Sequence, residues 1–320
     1  MNMAKLAALC GVSVSTVSKA FSKSTEISDE KREHIFRIAK ENGCYDKYCK
    51  NIYKEKVVAV ICPEFKSGIY AEQLSIIEQE IKKYGAVTIA SCTDFDDGRR
   101  CELMRYFTEF AKVDGIISLD TLCEDKKYSV PVVALGEYKN VHSIVLSMEN
   151  AVDEAIGHFK ENGHTRIAFL GEKLTSSKKR LFIKYMQKHK LVINDSYIID
   201  GQGRFGEAGY DAMNRLFEKE NIPTAVLCAY DNIAIGAMKS IYEHGKKIPE
   251  DISVIGFNDI KELPYLDVPL TSISSQNEDL CQILVELLFE VMESGRENVV
   301  KTIKVSKQLI KRNSVGRAKD

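Results

Sequence analysis

Apolar residues at the start of the chain recur at helical spacing. Leu6 is followed three and four positions later by Leu9 and Cys10, which predicts a short first helix. Gly11 ends that helix because glycine readily adopts a positive φ. Ser13 is then well placed as the N-cap of a second helix. The pattern therefore predicts two short helices joined by a tight turn that contains glycine.

The same spacing continues through two further segments. Val17 and Phe21 share one face of the second predicted helix, which covers residues 14–21. Ser28 is a good N-cap for a third helix, which ends at Gly43. Three helices in so short a stretch predict a small all-α head over residues 1–45.

The remainder of the chain alternates continuous apolar runs with amphipathic stretches. The strand-like runs are 57–62, 87–92, 115–119, 132–135, 167–170, 197–200, 225–229 and 252–257. The helical stretches are 70–84, 99–112, 149–162, 177–189, 207–220, 232–244 and 278–294. Alternation of this kind builds parallel sheets from βαβ units. Because the strands are too many for one convenient sheet, the pattern predicts an α/β body of two Rossmann-like lobes that divide near Ser147.

Between head and body, residues 44–56 read CYDKYCKNIYKEK, which is polar, basic and rich in tyrosine. We assign 46–56 as a linker. Charge is distributed unevenly between the two parts of the chain. Residues 1–56 hold eleven Lys or Arg and seven Asp or Glu, a net charge of +4. The remaining residues hold 34 Lys or Arg and 39 Asp or Glu, a net charge of −5. A basic head on an acidic body favours a polyanionic partner, although a chance fluctuation of a few charges would give the same totals.

Composition narrows the class of protein further. No apolar run approaches the roughly 20 residues that a membrane helix needs, and the N-terminal stretch is a poor signal peptide. The nine cysteines are irregularly spaced and form no Cys-x-x-Cys pair, which favours free thiols in a reducing compartment. We expect a cytoplasmic protein with no metal site and no cofactor.

The second helix carries an unusual set of side chains. A helix–turn–helix places its second helix in the major groove of DNA, where short hydroxylated side chains permit close approach and bond to bases or phosphates. Lysine reaches a guanine edge or a phosphate, and valine offers a methyl contact to thymine. The alternative is a capped surface helix with no partner. The candidate DNA-contacting residues are Ser13, Val14, Ser15, Thr16, Ser18 and Lys19.

Several strings along the chain carry a family resemblance. The head reads AALCGVSVSTVSKAFS followed by ISDEKREHIFRIAKENG. The body contains VDGII, VPVV, NGHTRIAFLG, TAVLCAYDNIAIGAM, IPEDISVIGFND and PLTSI in that order, and LIKRNS near its end. On these strings the chain resembles the lactose-repressor (LacI/GalR) family of bacterial transcription regulators over its whole length.

The resemblance implies a sequence-specific transcription regulator, expected to be a repressor, that binds pseudo-palindromic operators as a homodimer. Its body resembles periplasmic sugar-binding proteins, with a small effector in the cleft between lobes. Base-reading positions correspond to Val14, Ser15 and Lys19, and phosphate or turn-supporting positions to Ser13, Thr16 and Ser18. The implied domains are 1–45 head, 46–56 linker or hinge, 57–146 plus 275–297 first lobe, 147–274 plus 298–314 second lobe, and 315–320 tail.

The linker and the cleft depart from the family pattern. The linker lacks a Pro-Asn step and is shorter, and Tyr53 or Ile52 falls where a leucine would wedge into the minor groove. A basic linker that follows phosphates is the alternative. The effector-binding candidates are Arg180, Phe205, Tyr230 and Asn258. The alternatives without a ligand are core packing for the two aromatic rings and a surface salt bridge for the arginine. A hexose or oligosaccharide is the effector expected from the resemblance.

Two other functions stay open at this point. A solute-sensing module whose head no longer reads DNA would fit the altered linker. An enzyme would fit only the string GQGRFG at 201–206, which has the Gly-x-Gly-x-x-Gly form of a dinucleotide site. Its position late in the chain and the absence of a strand-end acid favour an ordinary loop, so we expect no catalysis.

Overall fold

The chain forms two compact units. The computed structural model describes residues 1–22, 24–49, 55–111, 113–294 and 299–319. The head comprises Met1–Lys56 with Gly85–Val87, and the body comprises Val57–Tyr84 with Thr88–Asp320. No helix within the described ranges is long and apolar enough to cross a membrane.

The head is built from short helices around one apolar cluster. Its helices are α1 Met3–Cys10, α2 Val14–Ala20, α3 Asp29–Glu41 and α4 Tyr45–Cys49. The cluster is formed by residues at helical spacing, and its buried members include Leu6, Val17, Phe21, Ile35 and Ala39. The all-α head predicted from the sequence is therefore present.

The predicted boundary between head and linker at residue 46 is corrected by α4. The Tyr48 ring is buried, its centroid lies 5.5 Å from that of Phe21, and its hydroxyl donates to the Met1 carbonyl oxygen at 2.8 Å. Because these contacts lie within the head, residues 45–49 belong to it and not to a linker. Residues 50–54 lie outside the described residues, and the predicted wedge positions Ile52 and Tyr53 lie there.

The first lobe of the body is a six-stranded sheet with flanking helices. Its strands are β1 Val57–Cys62, β2 Val87–Cys92, β3 Gly115–Ser118, β4 Val132–Leu135, β5 His142–Ser147 and β11 Thr302–Ser306. Its helices are α5 Gly68–Lys83, α6 Asp97–Arg105 and α11 Asn277–Ser294, and a π-helical turn covers Tyr106–Phe110. The order across the sheet is β11-β5-β4-β3-β1-β2.

The second lobe repeats this arrangement. Its strands are β6 Ile167–Gly171, β7 Ile198–Asp200, β8 Ala225–Cys228, β9 Ser253–Asn258, β10 Thr271–Ser274 and β12 Gln308–Ile310. Its helices are α7 Glu149–Glu161, α8 Ser176–Lys188, α9 Gly206–Phe217 and α10 Asp231–Glu243, with 3₁₀ turns at Asp195–Tyr197 and Leu263–Tyr265. The order across the sheet is β12-β10-β9-β8-β6-β7.

Both sheets share one doubly wound topology. In each lobe the second strand lies at one edge, followed by the first, third, fourth and fifth, and a strand from the C-terminal segment closes the other edge. β3 pairs with β1 and with β4 in parallel, and β8 pairs with β6 and with β9 in parallel. The strand order reverses beside β1 and β6, and in open α/β sheets such a reversal opens a crevice at the carboxyl ends of the strands. The predicted two-lobed α/β fold is confirmed.

One predicted lobe boundary is wrong. Residues 298–314 were assigned to the second lobe, but β11 pairs with β5 in parallel along Thr302↔Ser143 to Ser306↔Ser147. Residues 302–306 therefore belong to the first lobe, and the chain enters the second lobe at Lys307, immediately before β12. Alternation of exposed and half-buried residues along β11 marks it as an edge strand.

The predicted tail at 315–320 is, in its described part, packed on the second lobe. The Gly316 carbonyl oxygen lies 2.9 Å from Nε2 of His164, and the Gly316 N–H donates to Ser253 Oγ at 3.0 Å. The Ala318 N–H donates to the Asn162 carbonyl oxygen at 2.8 Å. These bonds make residues 315–319 part of the lobe.

Candidate functional site

The turn between α1 and α2 is fixed by backbone geometry. Gly11 adopts φ 66° and ψ 29°, a left-handed conformation that a side chain would strain, and its N–H donates to the Ala7 and Ala8 carbonyl oxygens of α1. The Val12 N–H donates to the Ala7 carbonyl oxygen at 3.0 Å. The turn therefore delivers the chain directly to the N-cap of α2.

The first turn of α2 is locked by hydroxyl groups. Ser13 Oγ accepts from the Thr16 N–H at 3.1 Å, and the two hydroxyl oxygens lie 2.8 Å apart. This is the bond expected of a serine N-cap, and it satisfies a backbone donor that the helix leaves unpaired. Ser13 and Thr16 therefore hold the end of the helix that the sequence assigns to the DNA.

The two faces of α2 differ sharply. Val17 and Ala20 are fully buried in the head. Val14 keeps 47% of its surface exposed, and Ser15 and Ser18 are exposed as well. The open face therefore consists of short hydroxylated side chains around one valine, with no bulky residue to hold a partner away.

The basic residue of α2 has an acidic neighbour. Lys19 Nζ forms an ion pair with Glu26 Oε2, and 44% of the Lys19 side chain and 69% of the Glu26 side chain are exposed. The hydrogen bond and charge of Lys19 lower the pKa of the Glu26 carboxyl. Because exposed ion pairs contribute little to stability, Lys19 exchanges this partner readily for another anion.

Arg32 is a residue that sequence reasoning missed. Its Nη1 donates to the carbonyl oxygens of Ala20 and Ser22, both at 2.8 Å, and its Nη2 donates to that of Ser24 at 2.5 Å. The guanidinium fork thus satisfies carbonyl groups at and just beyond the C-terminal end of α2. The sequence did not indicate this role, because arginine is common on helix surfaces and Arg32 lies in an otherwise ordinary position, three residues after the start of α3.

A second candidate site is the cavity between the two lobes, with a volume of about 180 Å³. Nearly all its walls come from segments that follow the carboxyl ends of strands, as the doubly wound topology requires. The lining residues are Glu64, Ser67, Ile69, Tyr70, Gln73, Phe95, Leu119, Leu135, Leu146, Lys178, Phe205, Tyr230, Asn258, Ser275 and Lys307. The cavity thus combines apolar and aromatic walls with a few polar groups, as ligand sites do.

An ion-pair triad joins the lobes beside this cavity. Arg204 Nη2 lies 2.9 Å from Glu64 Oε1 in the first lobe, and Arg204 Nε lies 2.7 Å from Glu172 Oε1 in the second. The other oxygen of Glu172 accepts from the Phe205 N–H at 2.9 Å. Both carboxylates are almost fully buried and share one cation. The triad therefore links the position of Phe205 to the approach of the two lobes.

Two lysines reach the cavity from different segments. Lys178 Nζ, from α8, donates to the Ala229 carbonyl oxygen at 2.6 Å and lies 4.1 Å from the Tyr230 ring centroid. Lys307 Nζ, from the segment between β11 and β12, lies 2.7 Å from Ser275 Oγ, to which it donates. Burial lowers the pKa of both ammonium groups, that of Lys307 to about 8.

The two acidic residues near Asn258, Asp231 and Asp259, bind partners within the second lobe. Asp259 forms an ion pair with Arg312, at 2.7 Å between Oδ1 and Nη2. Asp231 accepts from the Ser272 hydroxyl at 2.6 Å and from the Ile260 N–H at 3.0 Å, and burial raises its pKa to about 6. Asn258 is therefore the residue of this strand end that lines the cavity.

Strained backbone marks the same cavity. Phe95, Phe205 and Asn258 line it and have φ values of 60°, 55° and 108°. A positive φ is unusual for residues with a side chain, and such conformations cluster at functional sites where the surroundings enforce them. For Phe205 the enforcing contact includes its N–H bond to Glu172.

The structure brings three of the four predicted effector-binding residues together. Phe205, Tyr230 and Asn258 line one cavity, and the two ring centroids lie 6.3 Å apart. Arg180 does not line it and is exposed. Consecutive helix positions turn by about 100°, so two residues beyond Lys178 the side chain points away from the cavity. The cation of α8 that lines this cavity is therefore Lys178 and not Arg180.

The glycines of GQGRFG serve close packing. A Cβ at Gly201 would lie 1.9 Å from the Ala208 carbonyl oxygen, and Gly203 has φ +77°. Similarly, a Cβ at Gly236 would lie 1.9 Å from the Gly206 carbonyl oxygen, where α9 and α10 cross. The string is therefore explained by a tight loop and a close helix contact.

Each of the two units matches a known family of proteins or domains. Residues 2–45 match the profile of the bacterial regulatory proteins of the lacI family, and residues 156–315 match that of the periplasmic binding protein-like domain. The HTH-type transcriptional repressor PurR of Haemophilus influenzae is 27% identical over 331 aligned positions, which cover 97% of each chain.

Solved structures share the fold. The lac repressor dimer bound to operator and the anti-inducer ONPF superposes with a TM-score of 0.74 at 22% identity, covering 99% of each chain. A LacI family transcriptional regulator from Enterococcus faecium with bound ribose superposes with a TM-score of 0.69 at 21% identity, covering 82% of this chain and all of that one.

Proposed function

Because the chain belongs to the lacI family of bacterial regulatory proteins, it is a ligand-responsive DNA-binding transcriptional regulator, and we propose how its parts divide that task. The head reads operator DNA through α2, and the interlobe cavity of the body binds a small effector. The observation that carries the proposal is the open face of α2, whose short polar side chains stand on a helix fixed by Gly11 and Ser13.

In the major groove each residue of α2 has a distinct task. Val14, Ser15 and Lys19 contact base edges, by methyl packing, hydroxyl hydrogen bonds and a charged donor respectively. Ser18 contacts phosphate, and Ser13 and Thr16 hold the first turn. Tyr53 contacts the minor groove as the wedge of the linker.

In the cavity, Phe205 and Tyr230 pack against the apolar face of the effector while Asn258 offers one donor and one acceptor to its polar groups. The Enterococcus faecium relative with bound ribose supports a sugar-like ligand. The volume is below the roughly 300–1,000 Å³ of pockets for drug-sized ligands, so we propose a monosaccharide-sized effector and not an oligosaccharide.

We further propose that the protein acts in the cytoplasm as a homodimeric repressor on a pseudo-palindromic operator. The lac repressor structure is a dimer on its operator, and two-fold proteins read two-fold sites. Effector binding changes DNA affinity because a ligand that contacts both lobes favours one arrangement of them.

Selection of genomic DNA fragments by the intact purified protein tests this function. We expect enrichment of a palindrome, and we expect Lys19→Met to reduce it strongly while Lys219→Met, which removes the same charge from the body, preserves it. Recovery of fragments without sequence preference by the wild-type protein would contradict DNA reading and leave a solute-sensing module.

A further inference from the structure

The two lysines of the cavity lack acidic partners. Among the described residues, no carboxylate lies within 4.0 Å of Lys178 Nζ or Lys307 Nζ. Each nitrogen donates one hydrogen bond to a neutral acceptor, the Ala229 carbonyl or the Ser275 hydroxyl. An ammonium group has three N–H donors, so each lysine keeps donating capacity beside the cavity.

The lysines also share one aromatic ring. Lys178 Nζ lies 3.9 Å from the Phe257 ring centroid, and Lys307 Nζ lies 5.0 Å from the same centroid. Cation–π attraction compensates part of the cost of burial but does not neutralise charge. Two basic groups are therefore held near each other with no carboxylate in direct ion-pair contact among the described residues, although Asp231 and Glu172 act on them from a greater distance.

The nearby acids are committed elsewhere. Glu64 and Glu172 both bind Arg204, and Asp231 accepts from Ser272 and from the Ile260 N–H. Burial of unpaired like charges is unfavourable, and a protein avoids it unless another group supplies the opposite charge. The absence of an anionic acceptor bonded to either Nζ, at the wall of a cavity, is the observation that points to a ligand.

Lys307 occupies the hinge of the body. Its N–H donates to the Ser147 carbonyl oxygen at 2.9 Å, where β5 leads into the second lobe. Its Nζ bonds to Ser275, where β10 leads back to the first lobe, and Lys307 itself lies on the third crossing. One residue thus ties together all three segments that pass between the lobes.

We propose that the effector carries an anionic group, a carboxylate or a phosphate, which binds between Lys178 and Lys307 while Phe205, Tyr230 and Asn258 hold the rest of the molecule. The inference rests on the proposed role of the cavity as the effector site. It changes the expected ligand from a neutral sugar to a sugar acid or sugar phosphate of monosaccharide size. Contact with Lys307 gives the anion a direct connection to the hinge.

Calorimetry on the intact protein with matched ligand pairs tests this proposal. The probes are glucuronate against glucose, ribose 5-phosphate against ribose, and the minimal anions acetate and phosphate, each at constant ionic strength. We expect at least one anion-bearing probe to bind about 30-fold or more tightly than its neutral counterpart, because truncating one partner of a buried charge pair costs at least this much. Preference for the glucuronate or the ribose 5-phosphate arm identifies the carboxylate or the phosphate as the source.

Variants decide whether the lysines are responsible. We expect Lys178→Met/Lys307→Met to lose the anion preference and Lys219→Met to retain it, with thermal melts of all variants confirming the fold. Lys307→Arg keeps the charge and should retain part of the preference. Equal thermal stabilisation of the wild type and the double variant by every anion, or tighter binding of a neutral sugar than of its anionic pair, would overturn the proposal.

Failure of the anion proposal is distinct from failure of the proposed function. The affinity for the selected DNA is measured with each probe present. A neutral sugar that binds and changes DNA affinity would refute the anionic effector and keep the regulator. An anion that requires both lysines to bind but leaves DNA affinity unchanged would support the anion site and refute its effector role.

Discussion

Lysine has opposite surroundings in the two candidate sites. On α2, the Lys19 side chain is 44% exposed and forms an ion pair with Glu26. In the cavity, Lys307 is buried, Lys178 is half-buried, and neither has an acid within ion-pair distance among the described residues. Water screens the first arrangement, so it contributes little to stability in either direction. The two cavity lysines, in contrast, destabilise the protein when no ligand is bound. Their retention at this position indicates that the cavity binds a partner.

The largest expected effect comes from removing a buried lysine. The pKa of Lys307 is lowered from 10.5 to about 8, and each unit corresponds to about 1.4 kcal/mol, so the charge costs the folded state about 3–4 kcal/mol near neutral pH. We therefore expect Lys307→Met to raise the free energy of unfolding in the absence of ligand, even though a bond to Ser275 is lost. Urea denaturation measures the change, with Lys219→Met as the control.

The pH dependence sharpens this prediction. The unfolded chain binds the proton of Lys307 more tightly than the folded protein does, so wild-type stability rises between pH 8 and 10.5 relative to the variant. Lys178 and Asp231 face the same region, and Asp231 is ionised above its pKa of about 6. A variant less stable than the wild type at pH 7, or an advantage that does not shrink above pH 8, would show that the cavity tolerates its charges without cost.

A smaller effect is expected from Arg32, which supports α2 without belonging to it. Arg32→Met leaves carbonyl groups of Ala20, Ser22 and Ser24 without this donor, and because the site is partly open to water we expect a loss of about 1–2 kcal/mol. Hydrogen exchange of the α2 amides and DNA affinity should both report the loosened helix. Arg37→Met, on the exposed face of the same helix, is the control. Equal changes in amide exchange and DNA affinity for both variants would show that Arg32 does not position α2.

The smallest effect is expected at the exposed ion pair. Glu26→Gln releases Lys19 and removes a negative charge beside the DNA-reading face, so DNA affinity should rise a few-fold at low salt. The midpoint of urea denaturation should not change measurably. A loss of affinity would mean that Glu26 orients Lys19 for its contact and does not compete for it.

The sequence was sufficient for the head because its signals are local. Helical spacing, Gly11 as a turn residue and Ser13 as a cap all act within a few residues, and the structure shows each of them. The helix α4 was missed because CYDKYC reads as polar, and only packing of Tyr48 against the head core makes it ordered.

The parallel-sheet fold of the lobes could be predicted from the sequence, but not every strand or every crossing between the lobes. Apolar runs such as 57–62 identify buried parallel strands. β5 and β11 were missed because His142 and Ser143 interrupt one and exposed residues alternate along the other. An edge strand depends on its neighbour more than on its own composition, so the third crossing was placed too early.

The cavity was the least predictable part. Its walls come from segments far apart in the chain, and only the sheet topology brings them to one place. Phe205 and Tyr230 were predicted as aromatic stacking walls and Asn258 from the family pattern. The same pattern predicted Arg180, whereas Lys178 is the cation of that helix that lines the cavity. Nothing near Lys307 in the sequence indicates that it is buried, since KVSKQ resembles any exposed strand end.

The most direct test of this division of labour is the affinity for the selected DNA site, measured by fluorescence anisotropy across salt concentrations without ligand. We predict that Lys19→Met weakens binding and makes the slope of log K against log salt shallower by about 0.9, because the DNA-binding face then carries one positive charge fewer and releases about one counterion fewer. Lys178→Met/Lys307→Met should match the wild-type slope and lose only its response to an anionic effector. An unchanged slope for Lys19→Met, together with a changed slope for the cavity variant, would contradict the account.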